Sequence, residues 1–146
     1  MTDDNSSRPL YVMLVEDTEA DVLIVKECFR KNKINNPLYV ADDGVAAMQM
    51  LRRENQYADY PLPDLIFLDL NMPNKNGHET LAEIKADSKL KNIPVVILTS
   101  SKAETDILKT YDLQADNYIV KPVDREKFLE VISSIDNASI CAMTDR

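Results

Sequence analysis

A chain of 146 residues with 25 acidic against 17 basic side chains and a net charge of −8 is long enough to bury one core and too acidic to gather a phosphate backbone, so a single domain without direct nucleic-acid binding is expected. No apolar run approaches the roughly 20 residues of a membrane helix, and the opening MTDDNSSRP is polar, which points to the cytoplasm. Cys28, Cys141 and the single His78 lack metal-ligand spacing, which argues against zinc and for reduced thiols.

Residues 1–9 read as a flexible segment. From Leu10 onward short apolar runs alternate with helical patterns. Leu10 to Val15 precedes a helix from Ala20 to Phe29, and Leu38 to Ala41 precedes one from Val45 to Arg52. The connection ENQYADYPLP follows; its Pro61-Leu62-Pro63 cannot continue a helix, and it reads as surface, with Tyr57 in solvent. Leu65 to Leu68 precedes a helix from Thr80 to Ala86, with a turn at Asn76-Gly77, where glycine tolerates positive φ, and with His78 in solvent. Val95 to Leu98 precedes a fourth helix, Ala103 to Leu113. Tyr118 to Val120 precedes a fifth from about Arg125 to Ile135, whose Phe128, Val131, Ile132 and Ile135 form one apolar stripe. Residues 137–146 carry no further periodic element.

Near-continuous apolar strands such as Ile66-Phe67-Leu68 are buried on both faces, which in a strand–helix alternation means a parallel sheet covered by helices. The expected class is α/β, a doubly wound (βα)5 sheet over residues 10–136. In such a sheet every strand ends on one edge, where ligands sit at the switch point of strand order. Here the strands run into Glu16-Asp17, Asp69, Thr99-Ser100 and Lys121-Pro122. With order 2-1-3-4-5, Glu16 and Asp17 stand beside Asp69, while Thr99 and Lys121 approach from the other side. Clustered carboxylates repel unless neutralised, and an oxygen-only, highly charged donor set suits Mg²⁺. Such a site can place a phosphoryl group on Asp69, with the metal and Lys121 offsetting charge on its oxygens.

Each residue alone has an ordinary reading. Asp17 and Thr18 suit a helix cap, Asp69 a turn start, Thr99 and Ser100 another cap, and Lys121-Pro122 a plain turn. Independent turns, however, have no reason to collect complementary chemistry on one edge.

Those residues resemble the receiver domain of two-component response regulators. The matching features are Glu16-Asp17, Asp69 followed by Asn71-Met72-Pro73 and Gly77, Thr99 at a strand end, and Tyr118 before Lys121-Pro122. LDLNMPNKNGHETLAEIK and ILKTYDLQADNYIVKPVD are similar to the stand-alone regulators that partner phytochrome-type histidine kinases. The resemblance implies that Asp69 accepts phosphate from a kinase phosphohistidine. It also implies that Glu16, Asp17, Asp69 and the Asn71 carbonyl hold Mg²⁺, that Lys121, Thr99 and Ser100 contact the phosphoryl group, and that Thr99 and Tyr118 switch. It further implies a cis Lys121-Pro122 bond. Glu16 stands where the family more often has Asp, so its longer arm suits contact through water. Ser100 stands where Ala is frequent.

Rival functions fit less well. A Mg²⁺-dependent phosphohydrolase with an Asp nucleophile needs a second acid two residues on, where this chain has Asn71. An FMN carrier needs a Ser/Thr/Gly-rich phosphate loop where this chain has EDTEAD. A pseudo-receiver would have no use for Asp17, Asp69, Thr99 and Lys121 together. The expected protein is thus a phosphorylation switch with only self-catalysed chemistry, signalling through a protein surface. Ile107 and Tyr111 on the fourth helix, with Tyr118 beside them, are its expected anchors. A homodimer through the fourth helix, fifth strand and fifth helix is one expected use of that face.

Overall fold

In a parallel sheet covered on both sides, alternate residues of each strand feed different cores, and that periodicity organises this chain. The computed structural model describes residues 11–31, 37–70, 77–99, 117–120, 123–124, 126–127 and 130. Five strands, β1 (Val12–Val15), β2 (Leu38–Ala41), β3 (Leu65–Asp69), β4 (Val95–Thr99) and β5 (Asn117–Val120), form one sheet in the order β2-β1-β3-β4-β5. All neighbours are parallel, with Val15 level with Leu68, Asp69 with Leu98 and Thr99 with Val120. Three helices are described: α1 (Glu19–Lys31), α2 (Gly44–Leu51) and α3 (Gly77–Ala86).

Val12, Leu14, Leu65, Phe67, Val96 and Leu98 pack with Val25, Cys28 and Phe29 of α1 on one face. The intervening residues Met13, Val15, Ile66, Leu68, Val95 and Ile97 pack with Met48 and Leu51 of α2 and with Leu81 and Ile84 of α3 on the other. The expected doubly wound α/β class and its strand order are therefore those of the protein. Among the described residues no helix is long and apolar enough to cross a membrane.

Local signals fix the helix ends. The Thr18 carbonyl accepts the first bond of α1 from the Val22 N–H at 3.0 Å, and Glu19 and Asp21 lie in its positive first turn. Asp43 caps α2, its Oδ1 accepting from the Ala46 N–H at 2.8 Å. That helix ends at Leu51, well before the prolines, in a Schellman motif: the Arg53 N–H donates to the Met50 carbonyl at 3.1 Å and the Glu54 N–H to Gln49 at 3.0 Å.

Two side chains expected in solvent are not there. Tyr57 is half-buried, in edge-to-face contact with Tyr60 at 5.1 Å, and Tyr60 lies 5.3 Å from Tyr39, which is 5.9 Å from Tyr11. The connection after α2 therefore carries a 3-10 turn, Asn55–Tyr57, and a row of rings over the N-terminal edge of the sheet. His78 is half-buried, and its Nε2 is enclosed without a hydrogen-bond partner among the described residues.

Candidate functional site

The polar site begins where apolar strands end. Glu16 extends β1 by one ladder bond, its N–H donating to the Ala41 carbonyl at 3.0 Å, and this draws the side chain into the domain until only 1% remains exposed. One carboxylate oxygen accepts from the Thr18 N–H at 3.2 Å, so Glu16 also braces the entry into α1. Asp17, between them, stays exposed. Asp69 is the last residue of β3 and is 2% exposed. The ladder continues past it, with the Leu70 N–H donating to the Leu98 carbonyl at 3.0 Å. The carboxylate is thus carried by a strand embedded between β1 and β4 rather than by a turn.

One ligand oxygen from each of Glu16, Asp17 and Asp69 lies within 4.8 Å of the others. Removing like charges from water at such spacing costs free energy unless positive charge accompanies them. Oxygens opposite one another across an octahedral Mg²⁺ are separated by roughly 4.2 Å. A three-oxygen set this close is accordingly compatible with a hard divalent cation, with small side-chain adjustment or a bridging water. No nitrogen or sulfur ligand belongs to the group, which turns the preference away from zinc and copper.

Gly77 closes the base of the segment after β3. Its N–H donates to the Leu70 carbonyl at 3.0 Å, which holds the start of α3 against the end of β3. A Cβ here would meet the Asp69 carbonyl oxygen and lie 2.5 Å from the Leu70 Cα. Neither glycine has positive φ. Glycine at 77 is required by close approach of α3 to the Asp69 backbone, which corrects the expectation of a turn glycine.

Thr99 closes β4, 1% exposed, one residue beyond the level of Asp69. Tyr118 stands in β5 opposite Ile97; its side chain lies outside the described residues. So do Asn71, Ser100, Lys121, Pro122, Ile107 and Tyr111, and with them the expected cis bond and output surface. One neighbour of the site carried no sequence signal of its own: Asp21 lines a shallow depression with Glu16, Leu98 and Val123.

Comparison with known proteins agrees with this architecture. Residues 12–133 match the response regulator receiver domain family. The response regulator Rcp1 of a Synechocystis strain is 40% identical over 134 residues, covering 92% of this chain and 91% of Rcp1. The crystal structure of the phosphorylated cyanobacterial phytochrome response regulator RcpA superposes with a TM-score of 0.77 at 42% identity, over 85% of this chain and 89% of RcpA. The Mn²⁺-bound form of Rcp1 gives 0.77 at 41% identity, over 87% of this chain and 94% of that one. The chain belongs to the response regulator receiver domain family, and its relatives include phytochrome response regulators.

Proposed function

We propose that this receiver accepts a phosphoryl group from the phosphohistidine of a sensor histidine kinase onto Asp69, in a Mg²⁺-dependent reaction, and then signals through a protein surface. The observation that carries the reading is the meeting of three carboxylate oxygens within 4.8 Å where two of the three side chains are buried. Asp17, Asp69 and the Asn71 carbonyl would hold Mg²⁺ directly and Glu16 through water; the metal would offset the negative charge of the site and of the transferring group. The Asp69 carboxylate attacks phosphorus, a P–O bond forms as the P–N bond breaks, and the imidazole nitrogen keeps the electron pair and takes up a proton. Lys121, Thr99 and Ser100 contact the phosphoryl oxygens. Self-catalysed transfer and hydrolysis are the only chemistry.

A relative named as a phytochrome response regulator supports a phytochrome-type kinase as the partner, and a reaction with a kinase phosphohistidine suits a chain in the cytoplasm. Movement of the Thr99 hydroxyl toward the phosphoryl group frees space for Tyr118 to turn inward. A face bearing Ile107 and Tyr111 then binds a partner, or a second copy, more tightly, because only a difference in affinity between the two states transmits the signal.

Intact-mass analysis after treatment with phosphoramidate tests the reading. With Mg²⁺ one base-labile adduct forms on Asp69, and with chelator or in Asp69→Asn none forms; full modification of the variant removes Asp69 from the role. Sedimentation of the phosphorylated protein tests the surface. Ile107→Glu and Tyr111→Glu lose phosphorylation-dependent association at normal stability, and a collapse in stability returns both residues to the core.

A further inference from the structure

The edge of the sheet opposite the carboxylates holds a cleft of about 370 Å³, within the range of small-molecule pockets. It is formed by the end of α2, the connection into β3 and the turn after α3. Leu51 and Leu90, both 2% exposed, give it an apolar base, and the exposed Leu62 gives it an apolar wall. Its one acid, Asp87, is already engaged: its carboxylate lies 3.7 Å from the Arg52 guanidinium and accepts from the Lys89 N–H at 2.8 Å. Arg52 is held by Glu83 as well, at 2.8 Å. Arg53 and the Lys89 ammonium, exposed at the rim, pair with no carboxylate among the described residues. In a chain of net charge −8 this cleft concentrates uncommitted positive charge beside apolar surface.

The backbone beneath Arg53 adds an independent argument. Arg53 occupies the left-handed position that ends the Schellman motif, with φ 55, where glycine or asparagine is the usual residue and a side chain with a Cβ is strained. Keeping a long cation there makes sense if its side chain has work at the cleft.

We propose that the cleft binds a small amphipathic carboxylate, its apolar body against Leu51, Leu62 and Leu90 and its anionic end between Arg53 and Lys89. A small anion feels this local charge, whereas a long acidic peptide would also feel the repulsion of the acidic remainder of the chain. The site is separate from the carboxylate edge and does not depend on phosphorylation there.

Titration of ¹⁵N-labelled protein with sodium octanoate, followed by amide shifts, tests this. Saturable shifts should cluster at residues 51–53, 62 and 87–90, and 1-octanol should bind at least about tenfold more weakly, the scale of one charge-assisted contact. Arg53→Gly separates binding from folding: it should raise the melting temperature by a few degrees, on the order expected for relieving one left-handed residue, while weakening octanoate about tenfold. Lys89→Gln should weaken it less, about threefold, since a flexible surface ammonium contributes less. Absent or scattered shifts, equal binding of octanol, or unchanged affinity in Arg53→Gly would overturn the proposal. Displacement of octanoate by an acidic peptide that binds more tightly would overturn it too, making the cleft a protein-docking site.

Discussion

The two edges of one sheet are built on opposite terms. At the edge where strands end, apolar ladders deliver Glu16 and Asp69 into the interior, and an oxygen of the exposed Asp17 carboxylate lies within 4.8 Å of theirs. At the edge where strands begin, Tyr11 and Asp64 satisfy each other: the Tyr11 N–H donates to the Asp64 carboxylate at 2.8 Å and the Asp64 N–H returns a bond to the Tyr11 carbonyl at 2.6 Å. The rings of Tyr11, Tyr39, Tyr60 and Tyr57 pack in sequence beside them. A fold consolidated at one edge can hold clustered carboxylates at the other, and a cation that relieves their charge also offsets the charge a phosphoryl group brings. Removing a carboxylate from the first edge should therefore leave stability unchanged or raise it, whereas removing a ring from the second should lower it.

The largest expected effect tests whether the carboxylate edge is held by its backbone. Gly77→Ala forces a Cβ against the Asp69 carbonyl and the Leu70 Cα and should cost about 3 kcal/mol, the upper range for overpacking, because backbone rather than a flexible side chain must yield. Urea denaturation reads the loss. A change under about 0.5 kcal/mol would mean that α3 moves freely relative to β3. Next, Tyr60→Ala removes the ring shared by Tyr39 and Tyr57 and should cost about 2 kcal/mol, since the rings are only half-buried. Calorimetric titration of the variant should give unchanged Mg²⁺ affinity; altered affinity would show that the two edges are coupled.

A smaller effect belongs to Cys28, which belongs to neither edge. Burial pushes its thiol up, and the Asp124 carboxylate adds to the shift while Lys31 opposes it. The folded state favours the neutral thiol, so its contribution to stability is present below the ordinary value of 9.0 and is lost as pH rises beyond it toward the folded value. Stability measured from pH 7 to 10.5 should fall more steeply at the alkaline end for the native chain than for Cys28→Ala. Parallel curves would remove burial as the cause.

The sheet class and strand order were legible because apolar runs and helical periodicity alternate without interruption. The polar strand ends were legible because Glu16, Asp17, Asp69 and Thr99 directly follow those runs. What escaped was tertiary. Asn76-Gly77 has the composition of a turn, and nothing local reveals that α3 presses on the Asp69 backbone. Tyr57 lies in a polar connection whose sequence does not disclose that Tyr39 and Tyr60 meet it from β2 and from its own far end. The Schellman ending at Arg53 was hidden because the residue that takes the left-handed position is not glycine.

The most direct test compares Asp69→Asn with the native chain in urea, with Mg²⁺ and with chelator. Removing one of three clustered carboxylates should leave the metal-free variant as stable as the native chain or up to about 1 kcal/mol more stable. Saturating Mg²⁺ should stabilise the native chain by about 2 kcal/mol or more, as ligand binding to the folded state requires, and the variant by much less. A metal-free variant less stable than the native chain, or equal gains from Mg²⁺ in both, would contradict the claim that this edge stores charge repulsion for a cation to relieve.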